Sequence, residues 1–118
     1  MRFPKLRKNE WSIIVGIILL LSSLAYAIGA YEAITVSSTP VQLTNRADTR
    51  FQYVFITVET NGVYFTLDGI STPTSAGVGH LLESGQNLTL TDSGHILNFK
   101  AVRKSATDAA LKVTYKGN

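Results

Sequence analysis

A chain of 118 residues with a formal net charge of +3 has room for one compact domain and an appendage, but not for two domains. The charge is uneven: residues 1–10 hold four basic groups and one acid, whereas residues 32–118 balance seven basic groups against seven acids. A neutral domain argues against nucleic-acid binding through it, and the lack of cysteine excludes disulfides and thiolate metal sites. Such a domain must be held by packing or by assembly with other chains.

Residues 1–10 form a basic tail that carries Arg2, Lys5, Arg7 and Lys8. Between Trp11 and Tyr31 no residue is charged. The apolar positions Ile13, Ile14, Val15, Ile17, Ile18, Leu19, Leu20, Leu21 and Leu24, with Tyr26 beyond them, predict a transmembrane helix over 11–31. At 1.5 Å per residue it spans roughly 30 Å, the thickness of a bilayer's hydrocarbon core. Trp11 and Tyr31 stand where aromatic rings favour headgroups, and the basic flank marks the cytosolic side. The same stretch also reads as a cleavable leader, because Ala25-Tyr26-Ala27 makes a small-residue cleavage triplet. In that case the mature chain begins at Ile28.

From residue 32 to 118 the hydrophobic period changes to two, which predicts an all-β domain. The first strand is Ala33–Ser38, with Ile34 and Val36 on one face; Thr39-Pro40 breaks it, and Val41–Thr44 continues at an edge. After a polar loop, Phe51–Glu59 carries Phe51, Tyr53, Phe55 and Thr57 on one face and Gln52, Val54, Ile56 and Val58 on the other. Both faces are largely apolar, which predicts a central strand covered on both sides, or one whose second face meets another subunit. Thr60-Asn61-Gly62 predicts a hairpin into Val63–Leu67.

Ile70–Gly79 reads as a loop. Leu81-Leu82 and Leu88–Leu90 flank a Ser84–Asn87 turn, and Asp92–Gly94 turns into a strand over Ile96–Val102. A closing strand carries Leu111, Val113 and Tyr115. Seven or eight short strands with these turn spacings predict a single small antiparallel β-sandwich, and no segment of the domain reads as an amphipathic helix.

Tyr64-Phe65-Thr66-Leu67-Asp68-Gly69, then Thr72-Pro73-Thr74, Gly79-His80-Leu81-Leu82, Gly85 and the closing Leu111-Lys112-Val113-Thr114-Tyr115 resemble small β-sandwich virion proteins of bacteriophages. The resemblance covers about half the chain and implies a structural or decorating role without catalysis. The apolar N-terminal segment departs from that pattern. Together the two features suggest a phage with a lipid membrane beneath its capsid, in which a minor capsid protein links shell and bilayer. Type IV pilins share the order of basic leader, apolar helix and β domain, and Glu10 is similar to the acid near a pilin start, but their processing motif is missing.

His80 and His95 are the two histidines, and a metal site would need Asp68, Asp92 or Glu83 brought to them by folding. Their spacing favours loop roles, and Asp68 fits a turn residue that accepts backbone hydrogen bonds. No serine lies in a nucleophile elbow and no phosphate-cradling motif occurs. Asn87-Leu88-Thr89 is a formal glycosylation acceptor. Lys100, Arg103 and Lys104 make a basic edge that Asp108 offsets.

The expectation is therefore a non-enzymatic virion protein without cofactor or metal, membrane-associated and working through a lipid membrane, capsid proteins and further copies of itself or other subunits. Thr72, Pro73, Thr74 and Ser75 are the expected partner contact. The alternatives are a cell-surface or pilin-like filament subunit, or a secreted domain.

Overall fold

The structure, a computed structural model, describes residues 29–117. Among them are seven strands and one short helix: β1 (Gly29–Val36), β2 (Phe51–Glu59), β3 (Val63–Thr66), β4 (His80–Leu82), β5 (Asn87–Leu90), α1 (Ser93–Asn98), β6 (Lys100–Arg103) and β7 (Ala109–Gly117). All strand pairs are antiparallel. They form a four-stranded sheet in the order β1-β7-β2-β5 and a three-stranded sheet in the order β4-β3-β6.

Alternation along each strand decides which residues the two sheets bury between them. The four-stranded sheet turns Val36, Val54, Ile56, Val58, Leu90, Leu111, Val113 and Tyr115 inward, and the three-stranded sheet contributes Val63, Phe65, Leu82 and Ala101. Each large aliphatic side chain buried this way contributes roughly 1.5–3 kcal/mol. The result is one small, mostly antiparallel β domain with a single shared core.

Residues 37–50 close the side of the domain between β1 and β6. Val41 exchanges two backbone hydrogen bonds with Ala101 of β6, both 3.0 Å, and Arg103 N donates to Ser37 O. Thr44 N reaches across to Glu32 Oε1 on β1 at 3.1 Å. Between these ties Leu43 is fully buried. The expected edge strand Val41–Thr44 is thus a single bridge and a plug rather than a strand.

Four other expectations are corrected. Gly29, Ala30 and Tyr31 belong to β1, so the predicted helix cannot extend to Tyr31; the remainder of 11–31 lies outside the described residues. Thr60–Gly62 is no hairpin, because β2 and β3 lie in different sheets. The chain arches between them with Thr60 at φ 76°, and Asn61 Nδ2 donates to Thr107 O at 2.5 Å.

Phe51 is buried, not on the face of Tyr53, because a bulge shifts the register between Phe51 and Tyr53 and turns its ring inward to 5.3 Å from that of Tyr115. Ser93–Asn98 is helical where a turn and strand were expected. Asp92 caps it, accepting from Gly94 N at 2.8 Å and His95 N at 3.2 Å, and the strand starts only at Lys100.

Candidate functional site

The loop expected to meet a partner lies across the outer side of the three-stranded sheet. Val102 and Thr66 face away from the shared core, yet both are buried, and so is Pro73 of the loop. Thr66 Oγ1 donates to Ser71 O at 2.9 Å, which ties the loop to β3. Thr72, Thr74 and Ser75 are exposed, and Pro73 is buried within the domain.

His80, His95 and Asp68 line one cleft of about 490 Å³ together with Thr66, Ser71 and Val78. Asp68 is committed to its own turn. Its Oδ1 accepts from Ile70 N at 3.0 Å and Ser71 N at 2.8 Å, and its Oδ2 from Ser71 Oγ at 2.7 Å. The Ser71 hydroxyl, together with these two amides, holds the carboxyl down at about 2, so it is ionised at neutral pH. The His80 ring stands 5.4 Å from that of Phe65.

Asp92 caps α1 and Glu83 pairs with Lys104 at 2.6 Å, so neither joins the histidines. Among the described residues no three His, Asp or Glu side chains are placed to hold a metal ion. Arg103 is likewise paired, to Asp108 at 2.6 Å, which neutralises the basic edge. A second cleft, of about 620 Å³, runs between the loop before β2 and helix α1, with Arg46, Phe51, Ile96 and Leu97 in its walls.

The most distinctive surface is the outer face of the four-stranded sheet. Strand register sets its side chains in rows. Lys116 stands beside Tyr53; in the next row Tyr31, Thr114, Phe55 and Thr89 run across the sheet; then come Ala33, Lys112, Thr57 and Asn87. The last row holds Thr35, Ala110 and Glu59, and Glu59 is the acid on this face. Tyr31 is 64% exposed and Tyr53 38%. No element among the described residues covers this face. The sequence shows β2 to be apolar on both sides, but only the register reveals that three aromatic rings and two lysines share one open surface.

The acid nearest the start of the domain points the other way. Glu32 faces the core and accepts the Tyr115 hydroxyl as well as Thr44 N. Asn45 N in turn donates to the Tyr115 oxygen at 3.4 Å. Burial, and after it this bond to Glu32, pushes the Tyr115 hydroxyl well above the ordinary tyrosine range.

The anchor positions Trp11 to Tyr26 and the basic flank Arg2, Lys5, Arg7 and Lys8 lie outside the described residues, and within those residues no helix is long and apolar enough to cross a membrane. Comparison with protein-family models, curated proteins and solved structures finds no match.

Proposed function

We propose that the chain is a non-enzymatic structural protein, held in a membrane by the stretch from Trp11 to Ile28 and carrying a β-sandwich outside it. The observation that carries this reading is the junction. Gly29 belongs to β1, and the eighteen residues that precede it in the sequence, Trp11–Ile28, are uncharged. As a helix they measure about 27 Å, enough to cross a hydrocarbon core. The shortened span leaves Tyr31 just outside the core, at the depth aromatic rings prefer.

The resemblance of residues 64–115 to phage virion proteins supports a place in the particle, as a minor capsid protein joining an internal lipid membrane to the shell. Its partners are then the bilayer, capsid subunits and other copies of itself. Mass spectrometry of purified virions before and after delipidation tests this. The protein should be present in intact particles and be depleted with the lipid; absence from the particle refutes the reading.

One observation favours a second reading. Cleavage after Ala27 would start the mature chain at Ile28, one residue ahead of β1, and leave the whole domain intact. N-terminal sequencing separates the two: Met1 supports the anchor, Ile28 a secreted domain.

A further inference from the structure

We infer that the open face of the four-stranded sheet, at the end where the chain enters it, is a docking surface for the headgroup layer of the bilayer. This rests on the anchor reading above. Distance identifies the occupant. Gly29, the first residue of β1, lies near the end of the uncharged stretch, and it pairs with Lys116, which pairs with Tyr53. Neighbouring strands lie about 4.8 Å apart, so Tyr53 stands only about 10 Å across the sheet from the point of exit. Tyr31 is two residues along β1, about 7 Å. The headgroup layer on each side of the core is roughly 5–8 Å thick, and an anchor over Trp11–Ile28 leaves no residues in the sequence between it and β1, which keeps these side chains close to that layer.

The chemistry of the rows suits that position. Tyr31, Tyr53 and Phe55 present rings whose polar or edge groups tolerate the wet side of the interface. Lys116 and Lys112 can lay their methylenes over those rings while their ammonium groups meet phosphate. The acids are arranged to stay away: Glu32 is turned into the core, and Glu59 is in the row farthest from the exit. A face shaped for a second copy would need no such gradient from Lys and aromatic rings at the exit to an acid at the far end.

The cysteine-free chain allows single fluorophores to be placed at will. Full-length protein carrying Thr114→Cys, Thr35→Cys or Ile18→Cys is labelled and reconstituted into phosphatidylcholine vesicles with and without phosphatidylglycerol. Quenching by a headgroup-attached nitroxide lipid is then measured. The label at Thr114 should be strongly quenched and the one at Thr35, in the far row, weakly. Phosphatidylglycerol should raise the ratio of docked to undocked faces, read from the Thr114 quenching, by about fivefold for each lysine engaged, and Lys112→Glu with Lys116→Glu should abolish that rise.

A Thr114 label as weakly quenched as Thr35, while the Ile18 label reports the bilayer interior, overturns the docking surface and leaves the anchor standing. An Ile18 label in water, with protein that does not float with the vesicles, refutes the anchor and the docking surface together. Self-quenching between Thr114 labels on different copies assigns the face to a second chain and overturns the inference as well.

Discussion

Tyr115→Phe removes one hydroxyl from the tightest part of the domain and leaves the ring in place. Tyr115 is fully buried, its hydroxyl donates to Glu32, and it accepts from Asn45 N. No cavity opens, so the cost is that of the hydrogen bonds. A bond to an ionised carboxylate is worth about 1.5–3 kcal/mol. Glu32 keeps its second donor, Thr44 N, so the loss falls near the lower half of that range, about 2 kcal/mol. For a domain of this size that lowers the melting temperature by roughly 8–16 °C.

The pH dependence gives an independent check. The hydroxyl titrates above the ordinary value of 10.0 in the folded chain. The native state therefore binds this proton more tightly than the unfolded state does, and the associated stability is complete below pH 10 and erodes as pH rises past it. Tyr115→Phe should remove that part of the alkaline erosion. Urea unfolding of the full chain in mild detergent, monitored by circular dichroism at neutral pH and between about pH 9 and 11, measures both effects. A cost within about 0.5 kcal/mol of zero, as for an ordinary surface substitution, or an unchanged alkaline slope, refutes the reasoning.

Leu43→Ala empties the plug between β1 and β6 and should cost about 2–5 kcal/mol in the same unfolding assay. Asp68 is depressed to about 2 in the folded chain from an ordinary 3.8, so its contribution is present above pH 4 and disappears as pH falls towards 2. Asp68→Asn should flatten that acid limb, as read by acid titration of the circular dichroism signal. Gly79→Ala places a Cβ 2.7 Å from Phe65 O at φ 115°, whereas Gly77→Ala, at φ 110°, meets nothing within 4 Å. Both pay for the left-handed backbone, but only Gly79→Ala should also loosen β3 and β4, which hydrogen exchange of the Phe65 and Leu82 amides would report.

The parts of the fold legible in the sequence are those where alternation ran long enough to set a register. Val54, Ile56 and Val58 in β2, Leu88 and Leu90 in β5, and Leu111, Val113 and Tyr115 in β7 all point where their period of two puts them. The failures share a cause, which is that a short segment's pattern is ambiguous without its partner. Asn61-Gly62 is a strong hairpin signal, but pairing is decided by which sheet each strand's core face can join. Ile96–Phe99 alternates like a strand over four residues, and Asp92 wins it for a helical turn by capping two amides. Phe51 is displaced by one inserted residue that no local pattern announces. The open face was half visible: apolar residues on both sides of β2 were evident, but covering elements are tertiary facts.

β1 shows how one constraint fixes several features at once. Ile34 and Val36 must face the core, and the pleat's period of two then forces Glu32 inward and Tyr31 outward. An inward carboxylate is costly unless it is satisfied, and the Tyr115 hydroxyl and Thr44 N satisfy it. A slip of one residue along β7 would expose Ile34 and Val36, bury Tyr31 and strand the Tyr115 hydroxyl without its acceptor. The Glu32–Tyr115 pair therefore does more than add a bond. It holds β1 against a one-residue slip, which keeps Tyr31 outward and the acid off the face that carries Tyr53, Phe55, Lys112 and Lys116.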